Sequence, residues 1–188
     1  MPAAPLTLVS SPLISVFGSS RIAESSDAYQ QARELGTALA RAGFAVATGG
    51  YSGVMEGVSR GAAEAGGRVH GVVARSLPGK PNRWVAQEIV VETWEQRLFQ
   101  LLTVGDGYVA CPGATGTLVE LSVAWEMINK GLLPPRPLVA LGEFWRPIVK
   151  QIEEAEPKTR GVVSLAASVP AALEILQERL ARNRASGA

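Results

Sequence analysis

The chain has 188 residues, 47% of them hydrophobic and 19% charged, with a formal net charge of +1. That length suffices for one domain with a substantial core, and the near-neutral balance excludes a global electrostatic footprint for nucleic acid or a membrane surface. A single cysteine, Cys111, excludes an intrachain disulfide and makes a reducing, cytoplasmic setting the natural expectation; with His70 the only histidine, the usual zinc spacings are excluded too.

Residues 1–12 are interrupted by Pro2, Pro5 and Pro12 and lack a basic segment, so they read as a flexible N-terminal arm, not a signal peptide. The apolar run Leu13 to Phe17 is the first predicted strand, and Gly18-Ser19-Ser20 the first turn. Asp27 is a plausible N-cap with Gln30 as its reciprocal partner, opening a helix that buries Ala32, Leu35 and Leu39 and stops at Gly43. Phe44 to Thr48 is the second strand, Gly49-Gly50-Tyr51-Ser52-Gly53 the second glycine turn, and Val54 to Ala65 the second helix. Val69 to Val73 is the third strand.

Residues 75–84 carry Pro78, Gly79 and Pro81 with the cations Arg75, Lys80 and Arg83, and form a loop long enough to cover a site. Glu88 to Val91 is a short strand. Thr93 caps a helix with Gln96 at its third position, burying Leu98, Leu101 and Leu102. Gly107 to Cys111 is the next strand, and a helix from Thr117 to Lys130 follows its turn. Pro137 to Leu141, Phe144 to Ala155, Val162 to Leu165 and Pro170 to Arg182 alternate as strand and helix to the end.

This alternation predicts an α/β fold: a doubly wound, mostly parallel, Rossmann-like sheet with helices on both faces, in one domain over residues 13–183. Right-handed crossovers bring all the strand-to-helix turns to one sheet edge, where open α/β folds bind ligands. No apolar run approaches the length of a membrane span.

The third turn, Cys111-Pro112-Gly113-Ala114-Thr115-Gly116-Thr117-Leu118-Val119-Glu120-Leu121, is the most informative stretch. Strand, glycine turn and helix together suit an anion, because the free N–H groups of the first helical turn point at it. Gly113, Ala114, Thr115, Gly116 and Thr117 are therefore candidate phosphate ligands. Gly18 and Ser19 of the first turn, Gly49 and Gly50 of the second, and Met55 just beyond it are candidate contacts to the rest of a ligand. Glu120 needs its own explanation. Threonine followed three residues later by glutamate fits a capping box from Thr117, and a carboxylate at this edge also suits catalysis. The second turn lacks the dinucleotide-binding spacing, and no Walker A lysine is present. His70 and Cys111 read as packed residues, and Arg97 on spacing alone as a solvated or snorkelling arginine.

Pro112-Gly113-Ala114-Thr115-Gly116-Thr117-Leu118-Val119-Glu120 resembles the P-G-G-x-G-T-x-x-E signature of the cytokinin-activating phosphoribohydrolase family, whose members are often mislabelled lysine decarboxylases. The turns at Gly18-Ser19-Ser20 and Gly49 to Glu56, and the strand after Gly66-Gly67, look like that family's as well. The resemblance covers roughly residues 13 to 150. It implies hydrolysis of the N-glycosidic bond of AMP or an N6-modified AMP to free base and ribose 5-phosphate, with Arg97 and Glu120 carrying the chemistry. It also implies a homodimer that uses no metal and no cofactor, for whose interface Trp125 and Trp145 are candidates.

The sequence departs from the pattern at Ala114, the second signature glycine, at Val119, the first of two paired glutamates, and at Leu98, where the family has lysine. The spacing from Glu120 to Trp125 is similar to relatives that carry molybdenum cofactor without catalysis. A non-catalytic carrier of a nucleotide or molybdenum cofactor is thus the alternative. A looser resemblance to DNA-processing Rossmann proteins lacks the 112–120 signature, and the near-neutral charge does not favour nucleic acid.

Overall fold

The computed structural model describes residues 11–186. Most of the arm predicted for residues 1–12 lies outside the described residues. The elements run β1 (Leu13–Phe17), α1 (Asp27–Arg41), β2 (Ala45–Thr48), α2 (Val54–Glu64), β3 (Val69–Ala74), β4 (Gln87–Val91), α3 (Trp94–Val104), β5 (Gly107–Ala110), α4 (Thr115–Asn129), β6 (Leu138–Leu141), α5 (Arg146–Ala155), β7 (Val163–Ala166) and α6 (Val169–Ser186). A 3₁₀ turn at Pro157–Thr159, which the sequence pattern did not signal, precedes β7.

The strands form one sheet in the order β4-β3-β2-β1-β5-β6-β7. Every pairing is parallel, including β1 with β5 in the register Ile14↔Gly107. The Rossmann-like α/β expectation is met. Alternate strand residues feed two cores, as the pleat dictates. Ile14, Val16, Val46 and Val109 pack with Leu35, Leu39, Val58 and Leu176 of α1, α2 and α6. Phe17, Ala47, Val72 and Ala110 pack on the other face with Leu101, Leu121 and Val149 of α3, α4 and α5.

The winding reverses at β1. After β4 at the sheet edge, α3 crosses back beneath β3, β2 and β1, and the chain re-enters as β5 on the far side of β1. Ser15 marks this crossing, donating its hydroxyl to Leu101 O at 2.7 Å. Helices leave β1 and β5 on opposite faces, which opens a crevice at the carboxyl ends of these strands.

Three expectations need correction. The cap of α1 is Ser26, whose hydroxyl accepts from Tyr29 N at 3.2 Å, whereas Asp27 is the first helical residue and Gln30 donates to Glu24 O. By contrast, the Thr93–Gln96 capping box forms as the spacing predicts. The second correction is at α4, which starts at Thr115 with Ala114 as N-cap and no side-chain cap. Thr117 is inside the helix and buried, so no Thr117–Glu120 capping box exists. Gly113 makes this possible, since a β-carbon there would stand 2.2 Å from Thr117 Oγ1. Ala114 replaces glycine without strain because its φ is −98°. Third, Trp125 and Trp145 are not free to form an interface. Both are buried within the protomer, and the Trp145 indole N–H donates to Cys111 O at 3.0 Å.

Helices α1 and α2 cross at glycines. A β-carbon on Gly36 would lie 2.1 Å from Val58 O, and one on Gly61 would lie 1.9 Å from Arg33 O. Replacing Gly61 by alanine gains roughly 0.5–1 kcal/mol of helix propensity but forces the helices apart, a typical overpacking loss of about 1–3 kcal/mol. The clash is with main chain, so the loss should win, and urea unfolding of Gly61→Ala should show a lower midpoint than the parent.

Candidate functional site

A cleft of about 590 Å³ opens at the crevice, lined by the first turn, the second turn, the loop after β3, the start of α3 and the start of α4. Of the candidates, Gly18, Ser19, Met55, Ala114, Thr115, Gly116 and Thr117 line it, together with Arg97 and Glu120. Gly49, Gly50 and Gly113 do not. Gly113 accommodates Thr117, and a β-carbon on Gly49 would fall 1.4 Å from Arg97 Nη2, so Gly49 leaves room for the guanidinium. Gly50 needs its positive φ of 78° to turn the chain, and its N–H donates to Thr48 Oγ1 at 3.1 Å.

Arg97 is not a snorkelling surface arginine; it is 6% exposed. It enters from the first turn of α3, its Nε donating to Val72 O at 2.9 Å and its Nη2 reaching Met55 Sδ at 3.5 Å. The guanidinium carbon lies 5.5 Å from the centroid of the Tyr51 ring, within cation–π range. Nη1 faces Glu120 Oε1 at 3.7 Å, too long for a hydrogen bond. Met55 therefore backs the arginine more than it presents an open surface.

Glu120 stands in the second turn of α4, its side chain 13% exposed. Among the described residues Arg97 is its only polar partner. Burial pushes the carboxyl up from 4.5 to about 7, and the opposing pull of Arg97 does not cancel it. The same burial lowers the Arg97 value. Glu153, the other buried glutamate, is a useful contrast. It accepts from Gly161 N at 3.1 Å and Lys150 Nζ at 3.0 Å, and these bonds hold it below the usual carboxylate range. Glu153 is satisfied by the fold, whereas Glu120 has acceptor capacity left over, directed at the cleft.

The first turn of α4 supplies the complementary feature. With no side chain capping it, the N–H groups of Thr115, Gly116 and Thr117 stand at the cleft wall, at the positive end of a 15-residue helix. The loop after β3 is fixed over the same opening. Asn82 Nδ2 donates to Gly50 O at 3.0 Å and Tyr51 O at 2.9 Å, and Leu77, Pro78, Gly79 and Lys80 line the cleft. Sequence reasoning did not single out Asn82, Tyr51 or Trp94 as site residues. An asparagine after Lys80-Pro81 was the available signal for a pinned loop.

A family model described as the SLOG cluster4 family matches residues 11–170. The chain belongs to that family. It is 29% identical over 160 residues to the cytokinin riboside 5'-monophosphate phosphoribohydrolase of Rhodococcoides fascians, covering 79% of this chain and 80% of that protein. The solved molybdenum cofactor carrier protein of Chlamydomonas reinhardtii superposes with a TM-score of 0.75 at 29% identity, covering 91% of this chain and 99% of that one. The molybdenum cofactor binding protein of Rippkaea orientalis gives 0.76 at 25% identity, with coverage of 89% and 96%. No helix among the described residues is long and apolar enough to cross a membrane, and no group of three or more His, Cys, Asp or Glu there could hold a metal.

The Glu120 carboxyl gives a signed pH prediction. Between 4.5 and about 7 the folded protein keeps a proton that the unfolded chain has released. This contribution to stability is fully present below 4.5 and is lost as pH rises through 7. Urea denaturation from pH 4.5 to 8 should show the parent losing stability relative to Glu120→Gln, which has no such proton; parallel profiles would refute the burial argument.

Proposed function

We propose that the protein is a nucleoside 5′-monophosphate phosphoribohydrolase that acts on AMP or an N6-modified AMP. The observation that carries this reading is the Glu120 carboxyl, largely buried, with no hydrogen-bond donor among the described residues, faced by Arg97 at 3.7 Å, and beside the uncapped start of α4. The similarity to the Rhodococcoides fascians phosphoribohydrolase supports it.

In this reading the N–H groups of Thr115 to Thr117 hold the 5′-phosphate, with the Thr115 and Ser19 hydroxyls beside them. Cleavage passes through an oxocarbenium-like ribose, so positive charge grows next to the Glu120 carboxylate. Glu120 also orients a water and takes its proton. The hydroxyl adds to C1′, the glycosidic electron pair leaves with the base, and the base gains a proton as it departs. A value near 7 lets the carboxyl both accept and return a proton near neutrality. Arg97 positions the sugar through its remaining donors and keeps part of the Glu120 population ionised.

Glu120 does not cap α4, so at pH 4.5, where the folded carboxyl is protonated, Glu120→Gln should change stability by less than about 1 kcal/mol. Toward neutral pH the variant should become the more stable of the two, while its turnover falls on the order of a hundredfold or more with AMP affinity nearly unchanged. Release of adenine, followed by chromatography, measures turnover, and calorimetry with AMP and adenosine tests the phosphate anchor. Parental turnover in the variant, or equal binding of AMP and adenosine, would reject this assignment. The likeness to two structures named for molybdenum cofactor favours a second reading, a non-catalytic nucleotide or molybdenum cofactor carrier. AMP bound without any release of base would select it.

Assembly as a homodimer is part of the proposal. The three most exposed large apolar side chains among the described residues, Leu132, Phe144 and Phe99, are available for an interface, and the two buried tryptophans are not. Light scattering at micromolar concentration should return about twice the 19.8 kDa chain mass; a monomer mass would count against it.

A further inference from the structure

Trp94 is the first residue of α3, and its side chain is 38% exposed. Five other large apolar residues are comparably exposed: Val90, Phe99, Leu132, Phe144 and Ile152. None of those lines the cleft, and Trp94 does. It sits three residues before Arg97, a spacing that puts both side chains on one face of α3. Leu77 and Pro78 of the pinned loop supply apolar lining to the same cleft.

The aromatic groups around the site are otherwise engaged. The Tyr51 ring carries the Arg97 guanidinium, and its hydroxyl points to Ala74 O at 3.4 Å. Trp84 has Arg83 at 4.8 Å and Arg60 at 5.6 Å from its ring. Met55 is 7% exposed and turned to Arg97. Among the described residues the Trp94 ring has no aromatic or cationic neighbour, and the residue keeps 38% of its surface exposed at the cleft. A partly exposed indole at the wall of a cleft of mixed polarity is suited to a flat ligand that covers it.

We propose that Trp94 is the stacking platform for the base and the residue that sets preference for a purine over a pyrimidine. The inference rests on the nucleotide reading of the cleft given above. A nucleotide anchored by phosphate at the start of α4, with its C1′ beside Glu120, has Arg97 next to its sugar and Trp94 one helical turn further along α3. A bicyclic purine covers more of an indole than a pyrimidine ring does, so removing the indole weakens purine nucleotides most.

The test uses the intact chain and compares AMP, CMP and ribose 5-phosphate by calorimetry, with adenine release scored separately. Trp94→Ala should weaken AMP by about ten- to a hundredfold, a usual range for loss of one base–aromatic stack, and narrow the preference for AMP over CMP. Ribose 5-phosphate, which has no base, should keep its affinity. AMP should quench tryptophan fluorescence in the parent, and Trp94→Phe should remove that quenching while retaining AMP binding within about threefold. Equal losses for AMP and ribose 5-phosphate would mean that Trp94 only supports the start of α3, and overturn the proposal; so would unchanged AMP binding in Trp94→Ala. Selective loss of AMP binding in a protein that releases no adenine would uphold the platform and reject the hydrolase. Adenine release with indiscriminate losses would do the reverse, and a parent that binds no AMP would overturn both.

Discussion

The site depends on a buried guanidinium passing through a gap that only glycine leaves. Arg97 reaches Glu120 because Gly49 has no β-carbon, because Val72 O takes the Nε proton, and because the Tyr51 ring and Met55 sulfur flank the remaining faces. Burying an arginine is costly unless its donors are used. Here the main-chain carbonyl and the aromatic ring supply part of the compensation, and Glu120, too far for a hydrogen bond, adds Coulomb attraction alone. The outcome is a pair that is close in charge but not joined by a hydrogen bond. Each partner keeps capacity for a third group entering from the cleft.

That pair is also where burial and Coulomb attraction compete. A carboxylate beside an arginine is ordinarily held below its normal range. At Glu120 burial outweighs the arginine and raises the value to about 7. Glu153 has the opposite balance because two hydrogen bonds reach it directly. Both side chains expose little surface, but Glu120 lies deep and receives no hydrogen bond, whereas Glu153 lies shallower and accepts two, so depth and hydrogen bonding together separate the two glutamates. Cys111, also buried, has its thiol pushed up to about 12 and takes no part in such chemistry.

Sheet topology brings these groups to one place. Because α3 must cross from the edge at β4 to re-enter the sheet beside β1, its first turn passes below β3 and delivers Arg97 and Trp94 to the carboxyl ends of the strands. Because α4 leaves β5 on that same face, its uncapped start and Glu120 meet them there. The loop between β3 and β4, tied by Asn82 to the second turn, extends the wall of the cleft.

Much of this was legible along the chain. Alternating apolar runs and glycine stops determined seven strands and six helices near their observed places, and with them the parallel α/β class, since short-range periodicity reports which face of each element is buried. The glycine turn at Gly113 to Thr117 marked the region where α4 begins with free N–H groups, because that feature is local. The caps of α1 and α4 were not determined, for Ser26 and Asp27 compete at one helix start, and Thr117 reads as a cap until tertiary packing buries it beneath Gly113. Spacing alone made Arg97 a surface residue and Trp125 and Trp145 interface candidates. Only the folded sheet decided otherwise, because burial of a side chain depends on what crosses it from distant segments. Gly49 and Tyr51 of the second turn, Val72 of β3 and Glu120 of α4 close around Arg97 from three separate segments, a convergence that no window of sequence contains.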